Sequence, residues 1–299
     1  MPERVAPSPS IAAALAQAGQ WLADAGLSNP RREATALWAA IAGKKPGDVW
    51  LSREESPPPE LVARFGETVA RRARGVPFAY AVGRVGFRTL DLRLDPRALI
   101  PRPETEELVD LVLRWTRGTA GEGGKGKGGV VADIGTGCGC IALALAVEGA
   151  FERVIAVERS AHAAALTREN VEVVRPRVPV EVREGDLLAP LAGVRCQVIV
   201  ANPPYLTTAE YAALDPAVRD FEPREALVSG VDGLDATRAL LAGAAACLVP
   251  QGLLAVEIDE RRAEPVRALA LGYGWERVAV HDDLFGRPRF LLAFAKEEA

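Results

Sequence analysis

Residues 130–139 read VVADIGTGCG, a short apolar run that passes into an aspartate and three alternating glycines. The run Val130 to Ile134 predicts a buried strand, and the apolar residues that follow the glycines predict a helix. Glycines at such a turn let the backbone approach a ligand closely, with the amides of the helix N-terminus beside it. Because the glycines are Gly135, Gly137 and Gly139, the motif is GxGxG and differs from the GxGxxG of dinucleotide-binding proteins.

Strand-like and helical segments alternate after this motif, the pattern of a parallel sheet covered by helices. The predicted strands are 130–134, 154–157, 180–183, 198–201, 253–258, 277–281 and 290–294. Seven strands with intervening helices predict a doubly wound, Rossmann-like α/β domain of about 190 residues.

The first quarter of the chain has a different pattern. Residues 10–26 place apolar side chains at helical spacing, with Ser10 as the candidate N-cap. Further helices are expected from Pro30 to Ile41 and from Pro59 to Arg74, and the alternation in Val85 to Asp95 predicts a hairpin or extended connector. The predicted domains are a helical bundle over 1–77, a hairpin connector over 78–103 and the α/β domain over 104–299.

Two acidic residues follow predicted strands near the glycine motif. Glu158 comes 19 residues after Gly139, where a carboxylate can accept hydrogen bonds from both hydroxyls of a ribose. Asp186 ends the third predicted strand of the α/β domain, in position to contact an adenine amino group. Together these features indicate a site for S-adenosylmethionine (SAM). An NAD site is the alternative, which the glycine spacing disfavours.

The fourth predicted strand ends in Asn202-Pro203-Pro204-Tyr205, in which consecutive prolines fix φ and remove two N–H donors. A planar amide or exocyclic amine that stacks on Tyr205 can donate one hydrogen bond to the Asn202 side-chain oxygen and another to the Pro203 carbonyl. When both hydrogens are accepted, electron density shifts to the nitrogen. Alignment of this nitrogen with a sulfonium methyl group supplies much of the remaining rate acceleration. We therefore expect Asn202, Pro203 and Tyr205 to be catalytic, and all four residues to bind substrate.

The tetrapeptide and the glycine motif resemble the signature of methyltransferases that act on amino groups of adenine, guanine or glutamine. Three further stretches are similar to the glutamine branch, the HemK/PrmC family of release factor glutamine methyltransferases. They are Gly86 to Glu106 with its IPRPETE ending, Phe221 to Leu227 (FEPREAL) with Asp232-Gly233-Leu234, and Asp283 to Arg289 (DLFGRPR). The likeness covers nearly the whole chain and implies a class I SAM-dependent methyltransferase with a small N-terminal helical domain.

In that family, the methyl group of SAM is transferred to the side-chain amide N5 of the glutamine in the Gly-Gly-Gln motif of peptide-chain release factors. The resemblance therefore implies a release factor as the protein partner, held in part by the helical domain. It implies SAM contacts at Gly135, Thr136, Gly137, Cys138, Gly139, Glu158, Asp186, Leu187 and Asn202.

The chain departs from the family pattern at several positions. Glu158 stands where Asp is the commoner residue, Cys138 replaces a small hydroxyl residue, and Leu187 sits where some members have an aromatic ring. After the fifth predicted strand the family often has Gly and then Gln three positions later, whereas this chain has Asp259 and Arg262. The family pattern thus does not say how this loop is supported.

Composition and charge exclude several classes of protein. With 49% apolar and 25% charged residues the chain is globular, and its longest apolar runs are far shorter than a membrane span. The formal net charge of −4 gives no basic field that would attract nucleic acid. Four cysteines without CxxC spacing and two histidines form no zinc set, so we expect reduced thiols, no metal and a cytoplasmic location.

Two alternative functions share part of this pattern. A DNA or rRNA amino-group methyltransferase would use the same tetrapeptide, but the acidic balance and the absence of a recognisable nucleic-acid module disfavour it. A SAM-binding module without catalysis is disfavoured by the intact tetrapeptide. A nucleotide P-loop at Gly121 to Lys127 is disfavoured because Gly128 stands where Ser or Thr must bind magnesium.

Overall fold

The computed structural model describes residues 9–118 and 128–297. Its contacts divide the chain into two compact units, with the boundary between Gly83 and Arg84. The segment that imitates a P-loop, Gly121 to Lys127, lies outside the described residues. Within the described ranges, no helix is long and apolar enough to cross a membrane.

The front unit is helical, as its sequence predicts. Ser10 caps the first helix, accepting a hydrogen bond from the Ala13 amide at 3.2 Å. Trp38 and Phe65 pack edge to face in the core, with ring centroids 4.9 Å apart. The helices are α1 (Ile11–Asp24), α2 (Pro30–Ala42), α3 (Pro46–Leu51), α4 (Pro59–Ala73) and α5 (Phe78–Val82).

Two of these helices, α3 and α5, lie outside the sequence prediction because both are too short to show a helical period. Phe78 and Val82 of α5 pack against the core of the helical unit, and the Ala81 carbonyl accepts a hydrogen bond from Arg71 at 3.4 Å. These contacts place residues 78–83 with the helices, so the boundary by contacts falls six residues after the predicted domain end at 77.

The second unit contains all seven predicted strands of the α/β domain. Its strands are β1 (Arg84–Phe87), β2 (Leu90–Arg93), β3 (Val130–Ile134), β4 (Arg153–Glu158), β5 (Val180–Glu184), β6 (Cys196–Ala201), β7 (Leu248–Glu257), β8 (Arg277–Asp282) and β9 (Pro288–Phe294). Its helices are α6 (Thr105–Thr116), α7 (Cys140–Glu148), α8 (Ala161–Val174), α9 (Thr208–Ala212), α10 (Pro216–Arg219), α11 (Asp235–Gly243) and α12 (Ala263–Gly272).

The large sheet has the strand order β5-β4-β3-β6-β7-β9-β8. The first five of these strands are parallel, but β9 runs antiparallel to both β7 and β8. The expectation of a parallel sheet is therefore wrong for β9. The short connection between β8 and β9 leaves no length for a crossover helix, so the two strands form an antiparallel pair. The strand order reverses between β3 and β6, and ligands of open α/β sheets bind at the carboxyl ends of strands beside such a reversal.

The hairpin β1–β2 is attached to the α/β unit by a buried asparagine. Asn170 of α8 accepts a hydrogen bond from the Arg93 amide at 2.8 Å and donates one to the Arg93 carbonyl at 3.0 Å. Its Nδ2 also donates to the Cys138 carbonyl at 2.8 Å. One side chain thus connects the hairpin, α8 and the glycine loop, and the contacts assign the hairpin to the α/β unit.

Candidate functional site

A cleft of about 700 Å³ lies at the carboxyl ends of β3 to β6, where the strand order reverses. This volume is within the usual range for small-molecule sites. Seven residues singled out by the sequence line it: Gly135, Gly137, Glu158, Asp186, Leu187, Asn202 and Pro204.

The remaining candidates do not line this cleft. Cys138 and Pro203 are buried, Thr136 is hydrogen-bonded beneath the loop, and Gly139 forms the N-cap of α7. Tyr205, the last residue of the tetrapeptide, is half-buried beside the cleft. Thr136 and Gly139 therefore support the glycine loop from within, whereas Tyr205 borders the cleft.

The glycine loop adopts a backbone that only glycine tolerates well. Gly135, Gly137 and Gly139 have φ of 73°, 61° and 86°. A Cβ on Gly135 would meet no atom within 4 Å, whereas a Cβ on Gly139 would lie 2.9 Å from Thr167 Cγ2. Gly135 thus leaves space for a ligand at the cleft, and Gly139 permits close packing of α8 beneath it.

Asp133 supports the loop from below and is completely buried. Its Oδ2 accepts hydrogen bonds from Thr136 Oγ1 at 2.6 Å and from the Ala142 amide at 3.1 Å. Within the described residues, its Oδ1 has no hydrogen-bond partner. Burial raises the pKa of this carboxyl to about 7, although the hydrogen bonds from Thr136 and Ala142 lower it.

Glu158 closes the loop from the neighbouring strand. Its Oε2 accepts a hydrogen bond from the Gly137 amide at 2.9 Å, and its Oε1 accepts one from the Ser160 amide at 2.9 Å. Each carboxylate oxygen can accept a further hydrogen bond. Glu158 is therefore able to hold the loop and to accept from the hydroxyls of a ligand at the same time.

Asp186 and Leu187 lie at the third strand end, on the same side of the cleft. The Gly185 amide donates to the Glu158 carbonyl at 2.9 Å, which fixes this turn to β4. The Asp186 side chain is 66% exposed, and its nearest cation, Arg159, is 4.0 Å away. Leu187 has a φ of 45°, a left-handed backbone that is uncommon for this residue type.

At the other end of the cleft, Asn202 is held through a chain of side chains. Its Nδ2 donates to Thr105 Oγ1 at 3.1 Å, and Thr105 Oγ1 donates to Glu257 Oε2 at 2.8 Å. Thr105 and Glu257 are both buried. Burial is the largest influence on the Glu257 carboxyl and raises its pKa to about 7.

The segment after the tetrapeptide is fastened to a distant loop. The Leu206 amide donates to the Leu227 carbonyl at 2.9 Å, and the Ser229 amide donates to the Leu206 carbonyl at 2.8 Å. Gly233 has a φ of 79°, and a Cβ there would clash with the Tyr205 carbonyl oxygen. Burial raises the Tyr205 pKa to about 12, so the phenol is neutral at physiological pH.

Ion pairs bring together the three stretches that resemble the family. Glu222 of FEPREAL is buried and accepts from the Ile100 amide at 3.1 Å and from Arg102 at 2.6 Å. Arg287 of DLFGRPR lies 3.1 Å from Glu104 of IPRPETE. The IPRPETE stretch thus contacts both of the others, directly before it enters α6.

Asp259 and Arg262, the two residues after β7 that differ from the family pattern, each make contacts that support this loop. Arg262 donates to the Asp232 carbonyl at 2.8 Å and pairs with Glu210 at 2.7 Å. Asp259 caps a short turn by accepting from the Arg261 amide at 2.8 Å. The loop that lacks the family's Gly and Gln is therefore held by an arginine that joins it to α9 and to the turn at Asp232.

Several cleft residues were not identified from the sequence. They are Arg159, Ser160, Ala163, Val228, Ser229, Gly230, Asp235 and Ala236. Arg97, Ala98 and Leu99 line the cleft as well and lie in the stretch Gly86 to Glu106, which the sequence marked only by resemblance. Pro223, Glu225 and Ala226 also line the cleft and lie in FEPREAL, which the sequence marked only by resemblance. The sequence assigned no role to Thr105, although it lies in IPRPETE, or to Glu257, because the partner of a buried hydroxyl or carboxyl group is set only by packing.

Comparison with known proteins agrees with this architecture. Residues 13–83 match the family description "PrmC N-terminal domain", and residues 123–219 match "Methyltransferase small domain". The release factor glutamine methyltransferase of Moorella thermoacetica is 39% identical over 286 residues, which cover 95% of this chain and 98% of the relative. That of Streptomyces coelicolor is also 39% identical, over 95% of this chain and 97% of the relative.

The chain belongs to the release factor glutamine methyltransferase family. At this identity and coverage, both units take part in the relationship. A solved structure of a methyltransferase from Pyrococcus furiosus superimposes with a TM-score of 0.51 and 19% identity, covering 77% of this chain and 98% of that chain. The fold is thus that of a class I SAM-dependent methyltransferase, with the small helical domain of the family in front of it.

The described residues fit SAM as the methyl donor of this family. The open face of Gly135, the remaining acceptor capacity of Glu158 and the accessible Asp186 surround one cleft. Within the described residues, no group of histidine, cysteine or acidic side chains could hold a metal ion. All four cysteines are free thiols.

Proposed function

We propose that this chain is a cytoplasmic enzyme that transfers the methyl group of SAM to the side-chain amide nitrogen of the glutamine in the Gly-Gly-Gln motif of a peptide-chain release factor. The observation that carries this proposal is the position of Asn202 at the end of β6, in the same cleft as the glycine loop. Methyl donor and amide acceptor would meet where the strand order reverses.

SAM supplies an electrophilic methyl group: the C–S bond breaks with its electron pair going to sulfur while the amide nitrogen forms the new N–C bond. We assign Gly135, Gly137, Glu158, Asp186 and Leu187 to hold it, because they line the cleft. Thr136, Cys138 and Gly139 would act through the shape of the loop, since they do not line that cleft.

The chain's own part in the reaction is to orient the amide. We assign the Asn202 oxygen and the Pro203 carbonyl to accept the two N–H groups of the glutamine, with Pro204 and Tyr205 against its plane. Both hydrogen bonds strengthen as positive charge develops on nitrogen, so they favour the transition state over the bound substrate. The methylated nitrogen then releases its proton to water without a dedicated base.

The release factor is the partner that the proposal requires. We propose that the helical unit, residues 1–83 by contacts, helps to hold this large substrate. Its match to the PrmC N-terminal domain is the support for this assignment.

The decisive experiment combines the purified full-length chain, SAM and a release factor, followed by mass spectrometry of the peptide that contains Gly-Gly-Gln. One added methyl group on that glutamine is the expected result. A release factor with the glutamine replaced by alanine is the matched control and should gain none. Methyl transfer to DNA or rRNA, with an unmodified release factor, would refute the proposal in favour of a nucleic-acid methyltransferase.

A further inference from the structure

Asn202 is connected to a buried carboxyl group through a single hydroxyl group. The distances are 3.1 Å from Asn202 Nδ2 to Thr105 Oγ1 and 2.8 Å from Thr105 Oγ1 to Glu257 Oε2. Thr105 and Glu257 are each 2% exposed, so water has almost no access to either side chain. Ala201 of β6 pairs with Val256 of β7, and the next residues in these parallel strands are Asn202 and Glu257.

The chemistry of the three groups fixes the direction of the two hydrogen bonds from Asn202 to Thr105 and from Thr105 to Glu257. A threonine hydroxyl has one hydrogen, and an ionised carboxylate can only accept hydrogen bonds. The Thr105 hydrogen must therefore point to Glu257, which leaves only an acceptor position for Asn202. The amide NH2 of Asn202 is the group that can fill it, so the Asn202 oxygen is turned to the opposite side of the carboxamide.

This orientation matters because the amide nitrogen of a glutamine carries two hydrogens and needs acceptors. If the Asn202 carboxamide were rotated by half a turn, its NH2 would face the substrate NH2, and two donors form no hydrogen bond. Resting on the proposed function, we propose that Thr105 and Glu257 are positioning residues, which hold the Asn202 oxygen toward the nitrogen that receives the methyl group.

The setting of Glu257 makes this arrangement sensitive to pH. Burial raises the pKa of its carboxyl to about 7, opposed by the hydrogen bond from Thr105. The charges of two arginines also lower this pKa, and that of one glutamate raises it. The charged and titratable groups that act on Glu257 are Arg289 of β9, Arg102 and Glu104 before α6, and Tyr205 after β6.

Protonation of Glu257 removes the constraint on the direction of these two hydrogen bonds. A protonated carboxyl group can donate to Thr105, whose own hydrogen is then directed to Asn202. The carboxamide of Asn202 would have to turn its oxygen toward Thr105 in order to accept. Methyl transfer should therefore decline as the pH falls through about 7.

The first test replaces the hydroxyl group of Thr105. Thr105→Val should lower kcat for the release factor roughly tenfold, the usual effect of losing one hydrogen bond, and leave the Kd for SAM within about twofold. Thr105→Ser keeps the hydroxyl and should restore most of the loss. Thr116→Val is the matched control, because Thr116 is also buried on α6 and its hydroxyl donates to the Leu113 carbonyl of its own helix, at 2.9 Å.

The second test is the pH profile of Glu257→Gln. The wild-type kcat should fall roughly tenfold from pH 8.5 to pH 6, because a group with a pKa of about 7 is then about one-tenth ionised. In the variant, the glutamine oxygen can accept a hydrogen bond from Thr105 at any pH. The kcat of the variant at pH 8.5 should therefore be nearly equal to its kcat at pH 6. Asp133 has a pKa of about 7 as well and is unchanged in the variant, so a decline that persists there does not come from Glu257.

The outcomes separate the two proposals. A wild-type chain that leaves the release factor unmodified overturns the proposed function and this inference with it. An active wild type with equal kcat in Thr105→Val, or with the same pH profile in Glu257→Gln, overturns the positioning role alone. If Thr105→Val does not bind SAM at all, its loss of activity is structural, and the pH profile of Glu257→Gln decides.

Discussion

A buried carboxyl group supports each end of the cleft, Asp133 at one and Glu257 at the other, and the two are held in different ways. At the glycine loop, Asp133 is bonded by Thr136 and Ala142, which are three and nine residues away in sequence. At the tetrapeptide, Glu257 is bonded by Thr105, which is 152 residues away. The first end is stabilised by local contacts of one strand, loop and helix, whereas the second depends on the assembled domain.

This difference predicts different tasks for the two ends. Backbone amides at the glycine end fix the loop through Glu158 and through the Val157 carbonyl, so its shape is preset. At the tetrapeptide end, the Asn202 amide is set by side chains that come from α6 and β7. Changes at the first end should act on cofactor affinity, and changes at the second on the rate of transfer.

The largest effect should follow Asn202→Ala. Loss of the acceptor oxygen should lower kcat by roughly a thousandfold, because the hydrogen bond strengthens in the transition state, while SAM still binds appreciably. Isothermal titration with SAM and single-turnover transfer to the release factor measure the two quantities separately. Unchanged kcat would remove Asn202 from the mechanism and erase the distinction between the two ends.

The next effect concerns stability and its dependence on pH. The pKa of Glu257 is about 7 in the folded chain, above its ordinary value, so the folded state binds the proton more tightly than the unfolded state. The stability that the folded chain gains from the protonated Glu257 carboxyl is thus fully present in acid and is lost as the pH rises through about 7. From pH 5 to pH 8, wild type should lose up to about 3 kcal/mol more unfolding free energy than Glu257→Gln.

Chemical denaturation of both proteins at pH 5 and pH 8 measures this difference. Wild type and Glu257→Gln share Asp133, so its titration cancels in the comparison. Parallel pH dependences of the two proteins would show that the buried carboxyl at the tetrapeptide end ionises without cost, contrary to its burial.

A smaller effect is expected from Glu158→Ala at the cofactor end. The change removes the acceptor of the Gly137 and Ser160 amides as well as the proposed acceptor for the ribose, so the Kd for SAM should rise roughly thirtyfold. At saturating SAM, kcat should change only a few fold. Glu184→Ala, at the exposed end of β5, is the control that should leave the Kd unaltered, and a dominant loss of kcat in Glu158→Ala would contradict the division of tasks.

The smallest effect should come from Arg262→Gln, which introduces the residue common in the family. The variant loses the ion pair with Glu210 but can still donate to the Asp232 carbonyl. We expect KM for the release factor to rise by a factor of about three, with the Kd for SAM unchanged, because the hydrogen bond to the Asp232 carbonyl is kept. A changed Kd for SAM in steady-state and binding measurements would show that this loop supports both ends of the cleft.

Much of the α/β unit could be predicted because its signals are local. All seven strands, the capping by Ser10 and the helix after Gly139 follow from short apolar periods and from glycine. The expectation that β9 runs parallel to the other strands was wrong, since strand direction depends on the length of the connection and not on the strand itself. The short helices α3 and α5 were missed because one or two turns do not establish a period.

The amino-acid sequence alone identifies the glycine loop, the acid that ends β4 and the tetrapeptide after β6, because each stands in a short run of neighbouring residues at a strand end. The orientation of Asn202, in contrast, depends on how the domain packs. The hydroxyl of Thr105 and the carboxyl of Glu257 become partners of Asn202 only when β6, β7 and α6 pack together, and burial at that point sets the pKa of the carboxyl. Distances between remote side chains, and the desolvation that comes with them, are properties of the packed domain and leave no pattern in the chain.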